Sequence, residues 1–417
     1  MTIAERLAEF AADVTLARLP AEVIDSVRRR TLDAAGCMLA AAADGAAAGT
    51  VDAVRAWSGS REAGVAGHDF RAPAPHAALV NGTLAGALVH DAVHPPTLAP
   101  IDAAVIPAAL ATAQEAERDG AAFVLAAAIG LEVAARLASS GSPGALPAGA
   151  AAAAARIWGL SERETAAAIA LAARSGTPAG APAAERPSLR RGWSAMTGVI
   201  AADLARRGIA ERDAPGPVSG PVDQLGERWD CLSVALKPYP AALWVQADMN
   251  AAAGLGLKAG DIEEILCSIP PGAAALVCEP RSEKLRPVTD DEARFSLPFA
   301  VATAIVGGRS PAEMFGEDAR SDRRVLALAE RVGFEQDDSL HTAGGRVRIM
   351  LRDGRTRDAA HDAPGRELSD EDLRAKFTAN ARRRLDQPTT AKLAAEILRL
   401  DTLDGVDELM ALTQGGG

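Results

Sequence analysis

Apolar residues recur at helical spacing from Thr2 to about Arg212. Leu7, Phe10 and Val14 fall on one face at this spacing, which is typical of an amphipathic helix packed on a core. The run from Gly120 to Arg136 is apolar on nearly every side, so it predicts a helix buried by its neighbours. The first half of the chain is therefore predicted to be a set of packed helices.

Local signals indicate where these helices begin, cross and end. Ser161, followed three residues later by Glu164, predicts a capping box at a helix start. Gly36 lies inside an apolar run, which predicts a close crossing with another helix. A small-residue helix over Gly192–Arg207 is followed by a loop rich in Pro and Gly, Asp213–Pro221, where the all-helical pattern stops.

The pattern changes to a mixture of strands and helices after Lys237-Pro-Tyr-Pro240. The predicted elements are a strand at Ile262–Pro270, helices at Phe295–Ile305 and Val325–Val332, and a strand at Arg346–Arg355. The Asp353-Gly354 turn in the last of these predicts a hairpin, and residues 370–412 are predicted to be helical again.

The fold class predicted from these patterns is mostly α with an α+β second domain. Residues 1–235 are expected to form a large all-helical domain, completed by a C-terminal helix within 386–417. Residues 236–385 are expected to form the smaller α+β domain. Two domains also fit a length of 417 residues, which exceeds the size at which a single core usually splits.

Composition narrows the class of protein. The formal net charge of −11 argues against nucleic acid or an anionic membrane as a partner. The four cysteines form no CxxC pair, so we expect buried thiols in a reducing compartment rather than a metal cage. The N-terminal segment carries charges throughout, and no apolar run reaches membrane-spanning length without a charge. A cytoplasmic protein is therefore expected.

The segment from Asn81 to Leu110 holds the strongest candidate chemistry. It places His90, Asp91 and His94 between two apolar runs. Histidine is rare in this chain, so two imidazoles beside a carboxyl group stand out. Buried titratable groups are costly unless they are paired or used. Three readings stay open for this group: acid–base or substrate contact, structural hydrogen bonding, and metal binding. Metal binding is the weakest reading, because Asp102 is the sole further strong ligand nearby.

Cationic residues elsewhere could hold an anionic substrate. Lys237 and Tyr239 lie on a stiff turn between prolines, which suits a carboxylate clamp or a base. Arg186, Arg190 and Arg191 precede the Gly192 helix, where both the guanidinium fork and the helix N-terminus favour anions; the alternative is a solvated basic turn.

The charged loop around Arg286 could also reach an active site, although a plain surface loop is the simpler reading. The chain contains no G-x-S-x-G, Walker or dinucleotide-binding motif, so no nucleotide cofactor is expected.

Several sequence blocks, taken together in this order, resemble the MmgE/PrpD family, which includes 2-methylcitrate dehydratase, cis-aconitate decarboxylase and iminodisuccinate epimerase. The blocks are Thr31–Gly36, Val80–Thr83, Val105–Leu110, Gly130–Arg136, Gly159–Ser161, Lys237–Pro240, Ala293–Phe299, Asp353–Arg355 and Leu373–Phe377. The resemblance implies a large all-helical domain with a smaller α+β lid domain, usually as a homodimer. It also implies that neither a metal nor an organic cofactor is needed.

The opening segment departs from the family's catalytic pattern. The positions where the family commonly has His, Asp, Thr or Lys are occupied here by Gly86, Val89, Ala92, Val93, Pro100, Pro187 and Gln246. Asp91, His94 and Lys237 match the pattern. We expect altered chemistry, with His90, Asp91, His94 and Lys237 as catalytic residues. The expected substrate-binding residues are Asp102, Arg186, Arg190, Tyr239 and Arg286.

The resulting hypothesis is a cofactor-independent lyase or isomerase. It would abstract a proton from a small organic acid or carbonyl compound and then dehydrate, decarboxylate, epimerise or cyclise it. The alternative is a non-catalytic homologue that binds a carboxylate ligand or a partner subunit, because several proton-handling residues of the family are replaced.

Overall fold

The computed structural model describes residues 2–57, 59–176, 187–209, 218, 220–341, 343–361 and 368–414. The chain divides into two compact units, each described by itself below. The helical unit comprises residues 1–87, 91–234 and 373–417, and the mixed unit comprises residues 88–90 and 235–372. The predicted fold class, a helical domain with a second α+β domain, is confirmed.

The helical unit is built from helices joined by short loops, with one short β-ribbon. Its helices are α1 (Ile3–Asp13), α2 (Ala21–Ala43), α3 (Ala48–Trp57), α4 (Ala74–Gly86), α5 (Asp102–Glu115), α6 (Gly120–Ser139), α7 (Ala145–Trp158), α8 (Glu162–Ala173), α9 (Pro187–Arg206), α17 (Asp370–Ala381, shared at its start with the mixed unit), α18 (Gln387–Leu398) and α19 (Asp407–Gln414). The ribbon pairs β1 (Ala63–Gly64) with β2 (Arg71–Ala72), which the helical periodicity did not predict.

Small residues let the helices of this unit approach closely. A Cβ atom added to Gly192 of α9 would lie 2.1 Å from the carbonyl oxygen of Leu79 on α4. Gly130 of α6 and Gly149 of α7 face each other in the same way, because a Cβ on Gly130 would lie 2.6 Å from the Gly149 oxygen. The core is consequently rich in alanine and glycine, and close backbone packing replaces bulky side chains.

The predicted capping box is present at α8, where the Ser161 hydroxyl accepts a hydrogen bond from the Glu164 backbone N–H and the Glu164 carboxylate accepts one from the Ser161 backbone N–H. Among the helices of the described residues, α6 is the one unbroken helix long and apolar enough to cross a membrane. However, 89% of its most apolar stretch is buried within the protein. Most of the predicted Asp213–Pro221 loop lies outside the described residues.

The C-terminal segment joins the helical unit earlier than the expected boundary at residue 385. The unit resumes at Leu373, inside α17. Lys376 forms a buried ion pair with Asp33 of α2, and a Cβ added to Gly36 would lie 3.3 Å from the ring of Phe377. The close crossing expected at Gly36 is therefore made with α17.

The mixed unit contains one four-stranded sheet and several helices. Its elements are α10 (Leu243–Gly254), β3 (Ile262–Ile269), α11 (Ala274–Val277), α12 (Arg281–Leu285), α13 (Asp290–Arg294), α14 (Leu297–Val306), α15 (Glu317–Arg320), α16 (Arg323–Ala329), β4 (Val332–Gln336), β5 (Gly345–Leu351) and β6 (Thr356–His361). The strand order is β4-β3-β5-β6, with β3 and β4 parallel and the other neighbours antiparallel.

Two of the sequence predictions meet different outcomes in this sheet. The Asp353-Gly354 hairpin is confirmed, since β5 and β6 pair across a turn in which Gly354 has φ +82°. The helix expected over Val325–Val332 is too long: α16 stops at Ala329, and Val332 opens β4 beside Ile265 of β3. The spacing of apolar residues in this run did not reveal that a helix ends and a strand begins within it.

Candidate active site

The segment between α4 and α5, which carries His90, Asp91 and His94, is irregular and forms no helix. His94 instead opens a tight turn: its carbonyl oxygen accepts from the backbone N–H of Thr97 at 3.1 Å and of Leu98 at 2.7 Å. Its own N–H donates to Ala99 at 2.9 Å, and Leu98 adopts φ +59°. A left-handed backbone is costly for leucine, and such strain persists where the surrounding structure fixes it.

This turn brings the imidazole of His94 to the hydroxyl of Thr97. The Nδ1 and Oγ1 atoms are 2.9 Å apart. The ring is 1% exposed. Burial and the nearby Arg30 charge lower the pKa of His94 below its ordinary value of 6.5. The imidazole is therefore neutral at pH 7 and can accept a proton.

Thr97 opens onto a pocket of ≈ 550 Å³ in the helical unit. The pocket is lined by the 97–100 turn, by the loop after α6 and by the first turns of α9. Among the described lining residues, Arg190 and Arg191 are charged, and Thr97, Ser142, Ser175 and Ser194 supply hydroxyl groups. Guanidinium groups and a helix N-terminus on one wall make this a pocket for an anion.

The Arg191 side chain is held by the Asp91 carboxylate and occupies the space beside Gly86, which has no side chain. Its Nε donates to Asp91 Oδ2 at 2.8 Å, with both groups largely buried. A Cβ added to Gly86 would lie 2.1 Å from Arg191 Cδ, so this path exists because residue 86 is glycine. Asp91 therefore orients a cation of the pocket.

A buried network of charges supports the turn. Arg30 binds both carboxylate oxygens of Asp102, with Nε to Oδ2 at 2.8 Å, and donates to the Cys231 carbonyl at 2.7 Å. Asp102 was expected to contact substrate. Its carboxylate is instead occupied by Arg30 inside the protein, where an ion pair survives only when its hydrogen bonds are satisfied.

The second cluster of predicted residues belongs to the mixed unit. The Lys237 ammonium donates to the carbonyl oxygen of Val89, and Lys237 is 2% exposed. Val89 has φ +55°, a conformation that is especially unfavourable for a β-branched residue. The strained carbonyl thus receives a buried cation, and a carboxylate clamp at Lys237 would have to replace this bond.

The same cluster is held by the prolines and by Gln246. The Nε2 of His90 donates to the Pro238 carbonyl at 3.2 Å. Gln246 donates to the Tyr239 carbonyl at 2.9 Å and accepts from its N–H at 3.2 Å. Burial raises the pKa of Tyr239, so its phenol stays neutral. Gln246 therefore closes the Lys237–Pro240 turn.

No group of three or more His, Cys, Asp or Glu side chains that could hold a metal ion occurs in the described part of the chain. All four cysteines lie in the described residues, where they are buried and form no disulfide bond.

Comparison with known proteins finds one family in both halves of the chain. The chain matches the MmgE/PrpD N-terminal domain over residues 5–214 and the MmgE/PrpD C-terminal domain over residues 239–402. It belongs to the MmgE/PrpD family. The family resemblance drawn from the sequence blocks is thereby confirmed.

Three proteins of known name are similar to this chain over most of its length. Cis-aconitate decarboxylase of Mus musculus is 27% identical over 405 residues, covering 83% of this chain and 80% of that protein. The Homo sapiens enzyme is 27% identical over 398 residues, with 83% and 81% coverage. The cis-aconitate decarboxylase-like protein oryM of Aspergillus oryzae is 22% identical over 481 residues, with 99% and 97% coverage. Family and relatives together suggest a lyase-type function.

Two substitutions relative to the MmgE/PrpD pattern have a structural reason here. Gly86 replaces a common His, and the space it leaves is filled by Arg191. Gln246 also replaces a His, and its amide bonds the backbone of the Tyr239 turn. Each change exchanges a titratable group for a positioning contact.

The remaining predicted substrate contacts differ in their outcomes. Arg190 lines the pocket, whereas Arg186 lies outside the described residues. Arg286 was expected near substrate, but its side chain is 67% exposed and pairs with Glu330 on the surface. Sequence reasoning missed Thr97 and Ser142. The Pro-Pro-Thr and Gly-Ser-Pro-Gly turns that carry them were the available signals.

Proposed function

We propose that this MmgE/PrpD protein is a cofactor-independent lyase or isomerase. It would bind a small organic acid in the pocket of the helical unit and abstract a proton next to the acid's carbonyl or carboxylate group. The observation that carries the proposal is the buried, neutral His94 hydrogen-bonded to a hydroxyl, Thr97, that lines a pocket with two arginines.

Thr97 and His94 form the proton-handling pair in this proposal. The Asp230 backbone also acts on the His94 ring and favours its protonated form. In this proposal Nε2 carries the proton of the neutral ring. Nδ1 is then the acceptor for the Thr97 hydroxyl proton. When the substrate C–H bond breaks, its proton passes to Thr97 Oγ1 while the Thr97 proton passes to Nδ1, and the electron pair remains on the substrate as an enolate.

Arg190 and Arg191 would stabilise the negative charge that develops on the substrate. Arg191 is held by Asp91 at 2.8 Å, so its guanidinium does not have to reorganise during the reaction. In this scheme Asp91 is a positioning residue. The proposal leaves dehydration, decarboxylation, epimerisation and cyclisation as possible fates of the enolate.

The test is hydrogen exchange into candidate acids in D₂O, followed by NMR, with product detection by mass spectrometry. Thr97→Val should lower kcat about 100-fold or more with little change in KM, and Thr97→Ser should restore most of it. Arg190→Gln should mainly raise KM. The control is Ser140→Ala, since Ser140 bonds the Leu137 carbonyl and does not line the pocket. Normal turnover in Thr97→Val would overturn the assigned pair.

The pH profile provides an independent check. The base must be neutral, and burial lowers the pKa of His94 from its ordinary 6.5. The acid limb of kcat/KM should therefore lie below pH 6.5. A limb above that value would assign the base to another group.

A non-catalytic carboxylate-binding protein is the second candidate. It is favoured by the contacts of Asp102 with Arg30 and of Lys237 with Val89, which occupy two groups expected to act on substrate. Ligand binding at Arg190 without proton exchange in any bound acid would support it over the enzyme.

We further propose that the protein is cytoplasmic, as its composition indicates, and acts as a homodimer, as the family resemblance implies. Light scattering coupled to size-exclusion chromatography tests the dimer, and cell fractionation tests the location. A monomer at micromolar concentration would contradict the first part.

A further inference from the structure

We infer that the pocket of the helical unit selects a monocarboxylate that has an apolar body and one neutral oxygen, such as an oxo acid. The inference rests on the proposed function for the location of the site. It goes further by naming the class of acid, and it draws on the charge count, the apolar wall and one unpartnered hydroxyl.

The charge count limits how many carboxylates the pocket can hold. Arg190 and Arg191 are the cationic residues in the described lining, which includes no Lys or His. Arg191 already shares its Nε–H with Asp91, so part of its charge is balanced by the protein itself. Within the described lining, a second or third substrate carboxylate would lose its hydration without meeting a further cation, which is costly.

Much of the described lining is apolar. Leu98, Pro100, Leu146 and Trp193 are among its lining residues, and Trp193 is half exposed. These surfaces gain free energy when they cover hydrocarbon and lose it when they desolvate charge. The body of the ligand is therefore expected to be a carbon chain.

Ser142 provides the position of the neutral oxygen. It lines the pocket and is only 9% exposed, and its Oγ has no hydrogen-bond partner among the described residues. A buried hydroxyl left in this state is unfavourable, so it is a site for a ligand atom. As a donor it fits the carbonyl oxygen of a substrate. That contact would also acidify the adjacent C–H bond that the proposed chemistry breaks.

Isothermal titration calorimetry with matched six-carbon acids tests the class. The panel is hexanoate, its 2-oxo, 4-oxo and 5-oxo derivatives, and adipate, together with the tricarboxylate tricarballylate. Hexanoate should bind at least tenfold more tightly than adipate and tricarballylate. At least one oxo acid should bind about fivefold more tightly than hexanoate, the gain expected from one hydrogen bond.

Two variants assign the contacts. Ser142→Ala should remove the advantage of the oxo acid and leave hexanoate binding unchanged. Arg190→Gln should weaken both acids by the same factor. Matched controls are Ser140→Ala, a nearby serine outside the lining, and Arg207→Gln, an exposed arginine just beyond the other end of α9. Neither control should alter any affinity.

Three results would overturn the inference: equal or tighter binding of adipate or tricarballylate, an oxo-acid advantage that survives Ser142→Ala, or no binding by any acid of the panel. Failure of the proposed function looks different, because it would leave the predicted binding order intact while proton exchange remained independent of Thr97. Exchange that depends on Thr97 but acts on a tricarboxylate would overturn only the substrate class.

Discussion

Both units bury ionisable side chains, but the two units differ in whether these side chains have a partner of opposite charge. The helical unit pairs its buried charges with each other: Arg30 with Asp102, Arg136 with Glu132, and Lys376 with Asp33. The mixed unit buries Asp248 on α10 completely, and neither carboxylate oxygen has a hydrogen-bond partner in the part of the chain that the structure describes. Paired charges fix local geometry, whereas a lone carboxyl must give up its charge.

The unit that pairs its buried charges is also the unit that carries the candidate active site. One of these pairs, Arg30 with Asp102, lies next to the turn that carries His94 and Thr97, because Asp102 begins α5 just after that turn. Arg30 also contributes to the lowered pKa of His94. In the mixed unit, burial raises the pKa of Asp248 well above its ordinary value, which leaves a neutral carboxyl in an apolar core.

The largest expected effect comes from breaking one buried pair. Asp102→Leu should lower the free energy of unfolding by about 3–5 kcal/mol, because it leaves the Arg30 guanidinium buried without its carboxylate. The double variant Arg30→Met with Asp102→Leu should recover most of this loss. Urea denaturation followed by circular dichroism measures both. Arg28→Met, at the partly exposed pair with Asp401, is the control and should cost less than about 1 kcal/mol.

If Asp102→Leu and Arg28→Met cost the same, the contrast between paired and lone charges would lose its energetic basis. The double variant also separates charge from packing, since a loss that persists in it would come from altered packing around α2 and α5.

The next effect concerns the pairing of Asp91 with Arg191. Gly86→Ala should cost about 2 kcal/mol, because the new methyl group would overlap the Arg191 side chain at 2.1 Å. It should also raise the KM for the substrate acid by moving a cation of the pocket. Thermal denaturation and steady-state kinetics measure the two effects.

Gly49→Ala is the matched control for that substitution. Gly49 lies in α3 with no atom within 4 Å of an added Cβ, so alanine should leave KM unchanged and stabilise the helix slightly. An unchanged KM in Gly86→Ala would show that Arg191 does not contribute to binding.

The lone carboxyl of the mixed unit predicts a pH-dependent effect of about 1 kcal/mol. Burial raises the folded-state pKa of Asp248 above 3.8, so the unfolded chain ionises first and stability falls as pH rises from 3.8 toward the folded-state value. Asp248→Asn cannot ionise. It should therefore be more stable than the wild type at pH 8 by about 1 kcal/mol, a difference that shrinks toward pH 4.

Urea denaturation of the two proteins at pH 4, 6 and 8 gives the comparison. A constant difference across this range would mean that Asp248 is ionised in the folded protein and paired with a group that compensates its charge.

Much of the fold was predictable because its signals are local. The capping box at Ser161 and the Asp353-Gly354 hairpin depend on residues three or fewer positions apart, and both are confirmed. The boundary at Leu373 was missed because it depends on Lys376 meeting Asp33, and the two are more than 300 residues apart in the chain.

The candidate site was less predictable for the same reason. The sequence identified His94 and Arg190 as candidates. It did not indicate which charged groups would line the pocket and which would pair with another charge. Asp102 and Asp91 have the same side chain but different partners. Asp102 pairs with the buried Arg30, whereas Asp91 pairs with Arg191, which lines the pocket. Thr97 and Ser142 carry no charge and no motif, and only the folded turns bring them to the pocket.

The smallest expected effect is at Arg286, whose sequence context had indicated a substrate contact. Its guanidinium lies 2.8 Å from Glu330 with both side chains more than half exposed, so solvent screens the pair. Arg286→Ala should leave KM and kcat unchanged and should alter thermal stability by no more than the scatter between replicate melts. Glu330→Ala should behave identically. A rise in KM for Arg286→Ala alone would place this loop at the substrate and would make the charges of the mixed unit functional as well as structural.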